Sequence, residues 1–306
     1  MDCDIVAPRG SGTQFFSGTS NVSAREISIL NAGGDINIHN PGPISSAGPT
    51  TATVDEVLKW LKGANFRAIY RLSLEARMAE TGTWLIATFE FEEFVRKKGT
   101  VVWATGLRST IAVGSGKTIL AASSIQHLEV VFPDRTETAI VYAFLRYSES
   151  LSLLNIIAGL LDQLVRSHSI AFAHILPTYQ HSKKYGDELS CSEAVEALKG
   201  ILSLFSDVFI IIDGLDEVDD GTKDGVLRFL ASLQAHVLIT CRPLDHFQRH
   251  HTPHALHISV QAQTRDIDIY VAQRIQESAV LSEILSKNPA IAGMLRALVK
   301  EKSQGM

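Results

Sequence analysis

Residues 114–118 read Gly-Ser-Gly-Lys-Thr, a set able to cradle a chain of phosphates. Glycines let backbone N–H groups approach phosphate oxygens, a lysine neutralises the β- and γ-phosphates, and a threonine hydroxyl binds Mg2+. A helix starting directly after such a loop adds a field that favours anions. Gly114, Ser115, Gly116, Lys117 and Thr118 are therefore the candidate nucleotide-binding residues, with Thr118 also a candidate Mg2+ ligand. The full pattern G-x-x-x-x-G-K-[ST] wants glycine where Ile111 stands, and the next glycine upstream of Gly114 is Gly106. Two arrangements stay open: a longer loop starting at Gly106, or a loop with Ile111 in the first-glycine place. A β-branched residue suits unusual backbone angles poorly. Either arrangement misplaces one or two N–H donors, so weakened rather than abolished binding is expected.

Two further groups complete a possible site. The run VFIIIDGLDE, 208–217, is an apolar strand that ends in Asp213, with Asp216 and Glu217 just beyond. Ligands of open α/β sheets bind at the carboxyl ends of strands, which puts Asp213 beside the phosphate loop as a second Mg2+ ligand. Glu217 or Asp216 could orient and deprotonate an attacking water. Arg242 follows the strand HVLIT and emerges on the same edge, where an arginine can contact a γ-phosphate. Glu217, Asp216 and Arg242 are thus the candidate catalytic residues.

Elements that would position these groups are legible along the chain. Strands are expected at 100–105, 138–147, 207–213, 236–240 and 256–260. Helices are expected at 70–79, 117–128, 191–205 (capped by Ser190 and Glu193) and 222–234, and around the apolar face Leu153, Ile156, Ile157, Leu160, Leu161 and Leu164. Gly99 is read as ending a helix. The near-continuous apolar run of 207–213 suits a strand covered on both faces. Strands alternating with helices mean an α/β fold: a P-loop NTPase three-layer sandwich around a mainly parallel five-stranded sheet, with helical flanking segments. The expected organisation is a flexible, weakly β-prone segment over 1–50, a helical lead-in over 51–99, the NTPase core over 100–262, and the start of a helical domain over 263–306. Within 1–50, Ile27/Ile29 and Ile36/Ile38 alternate around Gly33-Gly34 and read as two short strands, disordered or self-stacking.

Bulk properties narrow the function classes. The chain has 306 residues, 45% apolar and 20% charged, and a net charge of −5. That acidity disfavours a partner with a nucleic-acid backbone. Cys3, Cys191 and Cys241 form no metal-spaced pair and suit a reducing compartment. No signal peptide and no membrane span is read, so the expected location is the cytoplasm. His246, His250, His251, His254 and His257 cluster, and His246/His250 have helical spacing, but Pro253 and the lack of a carboxylate motif favour a solvated loop.

Taken together, GSGKT, LLDQLV, FIIIDGLDE, LITCRP and RDIDIYV, with VLKWLKGANFRA, TGTWL and FEEF upstream, resemble the NACHT family of STAND-class P-loop NTPases. The resemblance covers about 52–306 and is greatest to fungal NLR-like proteins with a nephrocystin-like N-terminal NTPase region. It implies a nucleotide switch in signal transduction and innate immunity: ATP or GTP with Mg2+, slow or absent hydrolysis, and self-association through the NTPase region. It also implies that the Arg242 strand lies between the other two motif-bearing strands. This sequence departs from the family in the five or so residues that lengthen the phosphate loop, and in ending where the family continues into further domains. Two other readings remain: a degenerate NACHT scaffold acting as a protein-interaction module, and a small-molecule kinase, which would need a basic lid and an acceptor pocket not seen in the sequence.

Overall fold

Five short segments rich in β-branched and aromatic residues form one sheet: β1 (Val101–Thr105), β2 (Thr138–Phe144), β3 (Asp207–Asp213), β4 (His236–Cys241) and β5 (Leu256–Ser259). The computed structural model describes residues 52–106 and 116–303. Every strand pairing is parallel, in the order β2-β3-β4-β1-β5. Parallel neighbours need crossover connections, and the intervening helices supply them. β2, β4 and nearly all of β3 are buried, which accounts for their unbroken apolar runs.

The helical lead-in is α1 (Val54–Leu61), α2 (Phe66–Ala76), α3 (Thr83–Ile86) and α4 (Phe89–Arg96). A Thr53/Glu56 capping box starts α1, and Val57, Leu58 and Leu61 form its buried face. Of the aromatics between 84 and 94, Phe91 and Phe94 of α4 are buried, Phe94 packing edge-on to Phe209 of β3, while Phe89 is exposed. Beyond β1, α5 (Lys117–Val131) packs against β2, β3 and β4. Next come α6 (Leu153–Ser167), α7 (Ser169–Tyr185), α8 (Cys191–Leu202) and α9 (Asp220–Ala231). After β4 come α10 (Asp245–His251), α11 (Thr264–Glu277), α12 (Ala279–Lys287) and α13 (Pro289–Ser303).

Several sequence expectations shift. The second helix runs Phe66–Ala76 rather than 70–79, because Asn65 caps its start. β2 ends at Phe144, so Leu145–Tyr147 leave the sheet. α4 ends at Arg96; Gly99, at φ 75°, makes the turn into β1 instead of capping a helix. The first part of the histidine-rich stretch is helical, not a loop: His246 and His250 stack in parallel in α10, which stops at His251 just before Pro253, while His254 lies in a turn and His257 in β5. Among the described residues, no cluster of three or more His, Cys, Asp or Glu is placed to hold a metal. α7 had no counterpart in the sequence reading, and it carries Pro177 in its interior. Residues 1–51, with the alternating isoleucines, lie outside the described residues.

β2 is an edge strand, and one side chain takes up the backbone groups at its middle that have no neighbouring strand among the described residues. Gln163 of α6 accepts from the Tyr142 N–H at 3.1 Å and donates to the Tyr142 carbonyl at 2.8 Å. Among the described residues, no helix is long and apolar enough to cross a membrane.

The turn between α1 and α2 touches α6 backbone to backbone. A Cβ on Gly63 would lie 2.5 Å from the Ala158 carbonyl oxygen, and no flexible side chain is there to give way. Overpacking of this kind costs about 1–3 kcal/mol. Gly63→Ala should therefore lower the unfolding free energy by that amount, read at 25 °C by circular dichroism as a lower urea midpoint with an unchanged slope; an unchanged midpoint would show that α6 yields freely.

Candidate functional site

Parallel register brings the motif residues to one edge. Asp213 is level with Thr240 of β4 and with Phe144 of β2, and Thr105 of β1 is level with Cys241. β4 carries Arg242 just past its end and lies between β3 and β1, the order that the family resemblance implied. Gly116 has φ 71° and its carbonyl accepts from the Leu120 N–H, so it opens α5 directly at Lys117 and Thr118. Gly114, Ser115 and the lengthened segment with Ile111 lie outside the described residues.

Asp213 is 5% exposed. Its carboxylate accepts hydrogen bonds from the hydroxyls of Thr240 and of Thr118. Burial pushes the carboxyl up to about 6; the two threonine hydroxyls and Lys117 oppose that rise, and Glu217 adds to it. Thr118 and Asp213 therefore meet at the head of α5, as the sequence reading requires. Thr240 was missed there, although a hydroxyl residue one place from the end of the buried strand HVLITC was a usable signal.

The acidic turn after β3 is held as tightly. Gly214 sits at φ 77°, and a Cβ there would lie 2.3 Å from the Leu145 carbonyl oxygen, so only glycine fits. Its N–H donates to the Thr240 carbonyl, and Leu145 N–H donates to the Asp213 carbonyl. A single 3-10 turn, Leu215–Glu217, follows. Asp216 accepts from the Arg242 backbone N–H at 3.1 Å and faces its guanidinium Nε at 3.5 Å. Glu217 accepts from the Tyr147 backbone N–H at 2.9 Å. Arg242 is thus at the expected edge, with its side chain beside Asp216. Cys241 is buried, and burial pushes its thiol up, so it offers no nucleophile.

Thr118 and Asp213 together present a hydroxyl and a carboxylate oxygen, the hard donors that Mg2+ takes. α5 contributes its N-terminal field and Lys117 its charge. This donor set fits a magnesium-bound polyphosphate.

The sequence model described as "Nephrocystin 3, N-terminal" matches residues 80–242, just over half of the chain. No curated protein matches. Among solved structures, the Aeropyrum pernix ORC2 protein (ADPNP-ADP complexes) is similar at 14% identity and TM-score 0.41, covering 66% of this chain and 52% of that one. C. elegans PCH-2 is similar at 16% identity and TM-score 0.30, covering 76% and 48%. Drosophila ORC bound to poly(dA/dT) DNA and Cdc6 is similar at 13% identity and TM-score 0.35, covering 78% and 38%. The chain therefore spans about half or less of the structures it matches.

The Asp213 carboxyl binds its proton more tightly folded than unfolded, where it titrates near 3.8. As pH rises from about 4 to about 6 the unfolded chain has lost this proton and the native state still holds it, so stability falls through that window. Asp213→Asn removes the dependence. In metal-free buffer the variant should gain on the wild type between those pH values and then hold a constant margin, with a ceiling of about 3 kcal/mol. Parallel stability–pH curves from urea unfolding would contradict this account of Asp213.

Proposed function

The chain belongs to the nephrocystin 3 N-terminal family, and we propose that it is the nucleotide-binding switch module of an NLR-like signalling receptor of the NACHT and STAND type. The coarser part, a nucleotide-binding P-loop NTPase module with an α/β fold, is shared with the family and fold. The observation that supports nucleotide binding is the hydrogen bond between Thr118 and the buried Asp213, which joins the head of α5 to the end of β3; the receptor reading rests on the sequence resemblance.

In this reading Gly114, Ser115 and Gly116 offer backbone N–H groups to the phosphates of ATP or GTP, and Lys117 neutralises the β- and γ-phosphates. Thr118 and Asp213 hold Mg2+, which when bound neutralises charge on the phosphate chain. Arg242 reports on the γ-phosphate by leaving Asp216 for it. Hydrolysis would require Glu217 or Asp216 to align a water and take its proton. The water oxygen then bonds to the γ-phosphorus, and the bond to the β–γ bridging oxygen breaks. Asp216 already holds Arg242, and Glu217 already holds the Tyr147 N–H. Those internal partners support slow or absent turnover, as suits a switch that signals by self-association in the cytoplasm.

The test is Mg2+-dependent binding of fluorescent ATP and GTP analogues to the wild type and to Lys117→Ala. Micromolar binding that disappears in the variant is the expected result. No binding to either protein would overturn the switch reading and leave an interaction scaffold in its place.

A further inference from the structure

A cavity lies along the outer edge of β2, and neither Thr118 nor Asp213 lines it. Its volume is about 640 Å3, inside the roughly 300–1,000 Å3 of small-molecule sites. Ile140 and Tyr142 of β2 line it, the first two turns of α2 form one wall, and the last turns of α6 form another.

The chain is acidic overall, yet this cavity is lined by four arginines, Arg67, Arg71, Arg135 and Arg166, against two carboxylates, Glu129 and Asp162. Each carboxylate is already committed. Asp162 takes the Arg166 guanidinium in two hydrogen bonds, at 2.7 and 3.2 Å. Glu129 faces Arg135 at 3.6 Å and accepts from the Tyr70 hydroxyl at 2.7 Å. His168 is held below its usual range by burial and by Arg135, which disfavours a further positive charge there. Arg67 has no carboxylate within ion-pair distance among the described residues. Arg71 faces only the exposed Glu75, at 3.9 Å and outside the cavity, a pairing of little energetic weight.

Arg67 and Arg71 are one helical turn apart on α2 and line the same cavity, so two guanidiniums share one direction without a fixed counter-charge. Guanidiniums pair bidentately with tetrahedral oxyanions. A phosphate monoester carries about two negative charges at neutral pH, which matches two spare arginines; a carboxylate or a sulfate ester carries one. The remaining volume is larger than a phosphate group needs, and Phe66, Ile140 and Tyr70 supply apolar surface for the rest of the ligand.

We propose that the cavity beside β2 is a binding site for a small organic phosphate monoester, held by Arg67 and Arg71 and separate from the nucleotide site.

The probe is phenyl phosphate, with phenyl sulfate as the singly charged control, titrated into the whole chain at pH 7.5 and low salt. Isothermal calorimetry should show saturable, millimolar or tighter binding of the phosphate and at least about tenfold weaker binding of the sulfate. The double variant Arg67→Ala/Arg71→Ala should weaken phosphate binding about tenfold or more. Both residues are exposed, so circular dichroism should be unchanged. The double lysine variant, which keeps the charge and loses the fork, should fall between the two. Lys117→Ala should bind like the wild type, which separates this site from the phosphate loop. Absence of saturable binding, indifference to the arginine substitutions, or loss in Lys117→Ala would each overturn the proposal.

Discussion

A single buried carboxylate organises the edge of the sheet that carries the candidate site. Asp213 ends β3 with little exposure to water, and a charge so placed is costly unless donors surround it. Its donors come from two other elements, Thr240 on β4 and Thr118 on α5. The interaction therefore exists only if β3 and β4 are paired in the observed register and α5 starts where it does. A slip of one residue would turn Asp213 to the opposite face of the sheet. Fold and site are specified by the same hydrogen bonds.

Around that carboxylate, the chain satisfies its own polar groups before any ligand is considered. The acidic turn is locked by Gly214 against Leu145, by Asp216 against Arg242 and by Glu217 against the Tyr147 backbone. The turn thus ties the end of β4 to the exit of β2, across β3. A group arriving at this edge would compete with contacts already made, so any binding there is coupled to the positions of Arg242 and of the segment after β2.

Much of this was legible in the residues. The apolar run ending in Asp213 located β3, and the Gly-Lys-Thr step located the head of α5. Ser190 and Glu193 gave the start of α8, because a capping box is a local device with a local signature. What was not legible depended on distant partners. α7 was hidden because its helix period is weak and Pro177 lies inside it. α10 was hidden because histidines and a nearby proline read as loop, whereas Phe247 packs against the core and His251 sits 2.9 Å from Asp224 of α9. Thr240 showed only a hydroxyl near the end of a buried strand, and its partner became plain when the register placed it beside Asp213. The four arginines of the β2 cavity are spread over α2, α6 and the approach to β2, and only the packing of those elements brings them around one cavity.

The Gln163 amide on β2 has an implication for how copies of this protein could meet. An uncovered edge strand is a template on which another strand can continue the sheet. Here the central donor and acceptor of that edge are already taken by a side chain that imitates a neighbouring strand. Growth of the sheet from one copy into the next is therefore discouraged along β2. Contact between copies on this side would then fall to the helices that flank β2, touching face to face, the kind of contact that a bound ligand can loosen or tighten, rather than to an endless ribbon of backbone bonds.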